Sequence, residues 1–341
     1  MKVFNQSTFE KWQIEDNSIQ AIITSPPYYS LRRYDIPDVV IGGDPLCEHE
    51  YGNEIVNRKR GSIGSASTLM GGLATQEDCD RGTTIIKQGR YCILCNAWQG
   101  QYGLEPDFKL YIEHTLLWAK EAWRVLRDDG VFFLNIADSY NSSSAQIGRQ
   151  DKLKYGGKSG LHCLRGGNAG YPSKCQLLIP ERVSIMMVDE LGLTLRNKII
   201  WVKSNAMPES VTDRFSKRYE FIYFFTKKPK YYFNLDTVRE EHAEATKQRV
   251  KYPKGKNPGD VWIIPTQSSS EKHRAMWPEK LVERMILCST KAGDTVLDPF
   301  AGSGTTVLVA ERLNRQGIGI DLGYSDIQAR RLTEIQKELI L

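Results

Sequence analysis

Two short segments carry residues whose types suit a shared reaction. Thr24-Ser25-Pro26-Pro27-Tyr28 sets a hydroxyl and a phenol on either side of two prolines, which hold the backbone in one shape. Asp298-Pro299-Phe300-Ala301-Gly302-Ser303-Gly304-Thr305-Thr306 joins a carboxylate to two glycines, whose missing Cβ atoms let main chain close on a ligand. A helix opening at Thr305 would add exposed amides that favour a negative or polar group. Asp321 follows one strand later, and a carboxylate at that strand tip is where a doubly wound fold grips ribose hydroxyls. The loop has no Lys of a phosphate-cradling segment and no third glycine in step, which weakens triphosphate and dinucleotide readings. A third group, Cys47-x-His49 with Cys92-x-x-Cys95, offers soft ligands at the spacing of a closed tetrahedral zinc site, with Cys79 as a substitute for His49.

These residues need a scaffold, and the hydrophobic pattern supplies one. Ala21-Ile22-Ile23 reads as a buried strand stopped by the prolines. Residues 106–129 read as a helix with Phe108, Tyr111, Ile112, Leu116, Leu117, Ala119, Trp123 and Val125 on its apolar stripe, closed by Asp128-Asp129-Gly130 before a strand over 131–136. A helix over 180–190 precedes strands at 198–202 and 221–225, which are expected to pair. Helices at 278–287, 305–313 and 325–341 alternate with strands at 295–297 and 317–320. Such alternation predicts an α/β fold, a doubly wound, mostly parallel sheet covered on both faces. Residues 57–90 and 141–172, rich in Gly, Ser, Lys and Arg, read as long surface loops or insertions.

The chain has 341 residues, enough for a core of ordinary size, with 46 Lys and Arg against 41 Asp and Glu. The net charge of +5 is unevenly spread: residues 1–140 sum to −5, 141–260 to +10 and 261–341 to zero. The middle segment therefore suits an anionic partner. No signal peptide or membrane span is evident, so a soluble intracellular protein is expected, whose seven cysteines stay reduced as metal ligands or buried thiols.

The paired loops resemble those of the amino-methylating DNA methyltransferases, which move a methyl group from S-adenosylmethionine to N4 of cytosine or N6 of adenine. Thr24-Ser25-Pro26-Pro27-Tyr28 is similar to the family's catalytic loop, and Asp298 through Thr305 to its cofactor loop. The order, catalytic loop first, matches the β group, which keeps target recognition between them. His273–Lys280, with Trp277 and Lys280, is similar to the segment completing the cofactor pocket. The Cys/His insertion before Gly103-Leu104-Glu105-Pro106 is similar to one in phage-associated members. The implied layout is residues 1–140 as the catalytic-loop half with an insertion at about 41–100, 141–260 as a basic recognition region, and 261–341 as the cofactor half.

The resemblance implies roles. Ser25 and the Pro26 carbonyl accept hydrogen bonds from the target amine, Pro27 stiffens the loop, and Tyr28 stacks on a base flipped from the duplex. Pro299, Phe300, Ala301, Gly302, Ser303, Gly304 and Thr305 join Asp298, Asp321, Trp277 and Lys280 in holding S-adenosyl-L-methionine, while Cys47, His49, Cys92 and Cys95 hold a structural zinc. Ser-Pro-Pro-Tyr leans toward N4 of cytosine, with N6 of adenine as the alternative and a non-catalytic DNA-binding protein, or methylation of RNA or protein, as further ones. The chain has no Pro-Cys pair, which counts against cytosine-C5 chemistry and its thiolate nucleophile. The expected partner is double-stranded DNA. A cognate restriction enzyme and a homodimer are admitted, in a cytoplasmic protein of bacterial or phage origin. Lys152, Lys154, Lys158, Arg165, Lys174, Arg214, Lys217, Arg218, Lys227, Lys228 and Lys230, interleaved with Tyr155, Tyr171, Tyr219, Tyr231 and Tyr232, suit phosphate and groove contacts. Trp201 and residues 221–225 read as core.

Overall fold

In chain order the strands are β1 (Lys2–Asn5), β2 (Ile19–Thr24), β3 (Val39–Ile41), β4 (Tyr51–Asn57), β5 (Thr84–Cys92), β6 (Trp98–Gly100), β7 (Leu126–Ile136), β8 (Thr194–Val202), β9 (Tyr219–Thr226), β10 (Val261–Ile263), β11 (Thr295–Asp298) and β12 (Gln316–Asp321). The principal helices are α1 (Phe108–Val125), α2 (Ile179–Leu191), α3 (Glu279–Ser289) and α4 (Thr305–Arg312). The structure, a computed structural model, describes residues 2–57, 84–141, 170–242, 254–267, 277–324, 328, 330 and 331. They form two compact units, one of Met1–Pro37 with Gln101–Leu341 and one of Asp38–Gly100.

The larger unit holds an eight-stranded sheet in the order β1-β12-β11-β2-β7-β9-β8-β10. Every pairing is parallel except those of β9, which runs against both β7 and β8. The predicted pairing of the 198–202 and 221–225 strands is thus present, with Ile200 opposite Phe221. β2 is buried at all six residues, as a strand covered on both faces must be. Alternation sends Ala21, Ile23, Val131, Phe133, Ile222 and Phe224 into one core with Leu281, Val282, Met285 and Ile286 of α3. On the other face Phe132 meets Trp118 of α1 edge to face, with ring centroids 6.3 Å apart.

The buried face of α1 departs from the expected stripe. It comprises Phe108, Tyr111, His114, Thr115, Trp118, Ala119, Ala122 and Val125, whereas Leu117 and Trp123 are exposed. Two polar residues enter it because each has a partner: the Thr115 hydroxyl donates to Tyr111 O at 2.7 Å, and His114 Nδ1 lies 3.0 Å from Glu105 Oε1. The Asp107 carboxylate caps the helix by accepting from the amides of Lys109 and Leu110. The helix ends at Val125, before Asp128-Asp129-Gly130, because Leu126 already takes extended backbone and pairs with Ile19.

The smaller unit pairs β3-β6-β5-β4 in a second sheet. Residues 84–90 lie in β5 opposite β4, which corrects the expected loop over 57–90; β-branched runs at 55–56 and 85–86 outweigh the glycine-rich composition around them. Residues 58–83 and 142–169 lie outside the described residues. So does most of the expected C-terminal helix, although residues 328, 330 and 331 are helical. Among the described residues no helix is long and apolar enough to cross a membrane.

Candidate active site and metal centre

Strands β11 and β2 are parallel neighbours, with Leu297 opposite Ile22. From β11 the chain returns through α4 to β12 on one side, and from β2 it continues to α1 and β7 on the other. The two predicted loops therefore leave the carboxyl ends of adjacent strands where the winding reverses, which is where open α/β sheets form their ligand crevice. A side-chain bond joins them: the Thr24 hydroxyl donates to Asp298 Oδ1 at 2.7 Å.

Asp298 is buried and accepts two further bonds, from Thr306 Oγ1 to Oδ2 at 2.7 Å and from the Phe300 amide to Oδ1 at 3.0 Å. Burial nevertheless prevails and pushes its carboxyl up to about 6. An acid whose pKa is higher folded than unfolded holds more protons in the folded state, so its contribution to stability declines as pH rises from about 4 to about 6. Unfolding titrations of the wild type and Asp298→Asn over this range should show the wild type losing about 3 kcal/mol relative to the variant. A pH-independent difference would contradict the assignment. Across the loop, Asp321 accepts from the amides of Gly302 at 2.7 Å and Gly323 at 2.9 Å, and burial raises its carboxyl too. Gly304 caps α4 at φ +82°, a conformation that glycine adopts without strain.

The catalytic-type loop is held from below. Tyr111 Oη donates to Pro27 O at 3.0 Å, and Ser30 N donates to Gly103 O at 2.7 Å. Gly103 has φ +93°, and a Cβ there would meet Pro27 Cβ and Tyr28 O at 3.1 Å. Its amide donates to Glu105 Oε2 at 2.8 Å, while the other oxygen of this buried carboxylate faces His114. Above them Ser25 Oγ lies 3.1 Å from Tyr28 Oη and 3.4 Å from Asn135 Oδ1. Tyr28 Oη is also 2.8 Å from Asn135 Oδ1 and 2.9 Å from Glu220 Oε2. Burial, reinforced by the charge of Glu220, raises the phenol well above its usual range, so it stays protonated. Sequence reasoning missed Asn135, Glu220, Glu105 and His114 as site residues. The sequence signal nearest to them is Gly103-Leu104-Glu105-Pro106.

In the smaller unit the structure brings Cys47, His49, Cys92 and Cys95 together, with one ligand atom of each within 4.8 Å of all the others. Cys47 Sγ and Cys92 Sγ are 3.8 Å apart, and Cys95 Sγ and His49 Nδ1 are 3.4 Å apart. Tetrahedral zinc with bonds of about 2.3 Å to sulfur and about 2.0 Å to nitrogen needs edges of about 3.5–3.8 Å, so the set fits that ion. Burial opposes ionisation of Cys92, but the amides of Cys95 and Leu94 and the His49 side chain outweigh it and pull the thiol down to about 6, which suits a thiolate ligand. Gly43, at φ +73°, leaves room for the cluster, since a Cβ there would come within 2.7 Å of Cys95 Sγ. Cys79 lies outside the described residues.

The N6/N4 methyltransferase family model, described as DNA methylase, matches residues 19–329. The chain belongs to this family. It is 37% identical over 235 residues to the type II methyltransferase M.Cfr9I of Citrobacter freundii, covering 68% of this chain and 74% of that one. Its fold is similar to that of PvuII DNA methyltransferase (cytosine-N4-specific), with TM-score 0.57 and 18% identity over 96% of this chain and 85% of that one. It is also similar to TTHA0409, a DNA modification methylase of Thermus thermophilus complexed with S-adenosyl-L-methionine, with TM-score 0.53 and 16% identity over 98% and 93% of the two chains.

As a DNA methylase of this family the protein uses S-adenosyl-L-methionine, and the glycine loop fits such a cofactor. Gln328 donates to Gly302 O at 2.5 Å, which leaves Gln328 Oε1 buried with no partner among the described residues, an acceptor open to a bound donor. The Phe300 ring stacks on Tyr102, with centroids 5.6 Å apart, and meets Trp118 edge to face, so it anchors the methylase loop to the aromatic core. Trp277 packs on the core beside α3 and Lys280 is exposed; among the described residues neither bonds to residues 298–305.

Several expected DNA contacts are internal to the methylase fold. Lys227 is 6% exposed and donates to Leu126 O and Asn17 Oδ1, both at 2.7 Å, a correction that follows from its position at the end of core strand β9. Lys217 donates to Asp138 O, and Arg214 to Glu209 at 2.6 Å. Lys174, Arg218, Lys228 and Lys230 remain exposed, while Lys152, Lys154, Tyr155, Lys158 and Arg165 lie outside the described residues.

Proposed function

We propose that this DNA methylase transfers the methyl group to N4 of a cytosine flipped out of duplex DNA. The observation that carries this reading is Ser25 at the head of the Pro-Pro-Tyr loop, a neutral hydroxyl at the mouth of the crevice that Asp298 closes from the neighbouring strand. An exocyclic amine is a poor nucleophile because its lone pair is delocalised into the ring, and acceptors aimed at its N–H bonds hold it pyramidal and relieve its growing positive charge. Ser25 Oγ and the Pro26 carbonyl fill this role, and the Tyr28 ring stacks on the base, recovering about 1–3 kcal/mol of the cost of flipping. S-adenosyl-L-methionine, when bound, supplies the methyl group as a sulfonium electrophile. Asp298, Asp321 and the Gly302–Gly304 turn hold it. The exposed Lys174, Arg218, Lys228 and Lys230 contact phosphates. Cys47, His49, Cys92 and Cys95 hold a zinc that ties the two ends of the β4–β5 hairpin together.

The relative M.Cfr9I is a type II methyltransferase, which supports a cognate restriction enzyme for this chain as well. Incubation with duplex DNA and methyl-labelled cofactor, followed by digestion to nucleosides, should yield N4-methylcytosine. N6-methyladenine in its place would overturn the choice of base while leaving the class of enzyme intact.

A further inference from the structure

Seven of the larger sheet's strands point their carboxyl ends at the crevice, and the antiparallel β9 points its amino end there instead. This reversal brings Glu220, the second residue of β9, to the same edge as Ser25 after β2, Asn135 near the end of β7, and Lys203 just after β8. The Glu220 side chain is 13% exposed. One of its oxygens is 2.9 Å from Tyr28 Oη and the other is paired with the Lys203 ammonium, which sits 4.9 Å from the centre of the buried Trp201 ring.

The hydrogens of this cluster can be placed by elimination. Ser25 and Tyr28 own one hydroxyl proton each, and Asn135 spends its amide on Phe221 O at 3.0 Å, so its Oδ1 faces the hydroxyl pair as an acceptor. The Tyr28 proton has acceptors at 2.8 and 2.9 Å in Asn135 and Glu220, both nearer than Ser25 Oγ at 3.1 Å. Tyr28 therefore donates away from Ser25. Ser25 in turn donates inward, to Tyr28 Oη or Asn135 Oδ1, and keeps its lone pairs for a donor arriving from the crevice. Among the described residues Glu220 is the anionic group bonded to this pair.

We infer that Glu220 is a positioning residue for methyl transfer. It sets the direction of the Tyr28 and Ser25 hydroxyls so that Ser25 presents only acceptors to the amine, and its charge, carried one hydroxyl away, opposes the positive charge that grows on the amine nitrogen until one N–H proton leaves to solvent. Lys203 holds the carboxylate in place without touching the hydroxyl pair. The inference rests on the acceptor role of Ser25 and is independent of which base is methylated.

Single-turnover methylation of duplex DNA by the full-length protein tests it, with cofactor and DNA affinities measured in parallel. Glu220→Gln preserves size and reach but removes the charge and adds donors that can turn toward Tyr28. It should slow methyl transfer about 10- to 100-fold with both affinities within about twofold of wild type, and Glu220→Asp should recover part of the rate. A wild-type rate in Glu220→Gln would reduce the residue to a spacer and overturn the inference. Equal loss of rate and cofactor affinity in all Glu220 variants would also overturn it, by showing a folding role. Ser25→Ala is the control on the premise: if it retains the wild-type rate, the acceptor role fails and this inference fails with it, whereas a slow Ser25→Ala beside a fast Glu220→Gln overturns the inference alone.

Discussion

Ser25→Ala is expected to lower the rate of methyl transfer about 10²- to 10³-fold while leaving affinity for S-adenosyl-L-methionine within about twofold, as for removal of one preorganised hydrogen-bonding group from a transition state. The separation follows from the geometry. Ser25 Oγ bonds only within the Tyr28–Asn135 cluster, whereas the neighbouring Thr24 hydroxyl is the one that reaches Asp298 and the cofactor loop. Truncating Ser25 removes an acceptor without loosening that loop. Parallel measurement of single-turnover rate and cofactor Kd decides the matter, and comparable losses in both would place Ser25 in the cofactor site.

Purified protein is expected to contain about one zinc per chain, and stripping it should unfold the Asp38–Gly100 unit. Its described core is small: Ile41, Cys92, Ala97 and Trp98 are the buried apolar residues in it. A unit of this size is marginal by burial alone, and a structural zinc site contributes on the order of 10 kcal/mol to folding at neutral pH. Chelation, or Cys95→Ser, should therefore open this segment to proteolysis while the eight-stranded sheet resists. Metal-free protein with a protease-resistant 38–100 segment would rule the site out.

Much of the site is legible in local sequence, and the failures share a cause. Ser-Pro-Pro-Tyr and the Asp298–Thr305 turn are contiguous, so their chemistry is written in neighbouring residues, and the spacing of Cys92-x-x-Cys95 marks a ligand turn. Glu105 and His114 are nine residues apart and read as a loop acid and an incidental imidazole; only the packing of α1 shows them as a buried pair beneath the catalytic loop. Lys227 reads as one more cation in a basic segment, yet it ends a core strand and neutralises buried main-chain oxygen. The stripe on α1 is misjudged from sequence because Thr115 and His114 are polar but satisfied, and burial follows satisfaction of polar groups as well as hydrophobicity.

By itself the sequence determined the fold class, the two loops and the ligand set of the metal centre, because each depends on residue type and short-range spacing. Tertiary structure alone decided that β11 lies beside β2, which joins Thr24 to Asp298 across 274 positions, and that β9 runs backwards, which brings Glu220 to Tyr28. Strand order and direction arise from burying both faces of the sheet at once, a global condition that no single segment encodes.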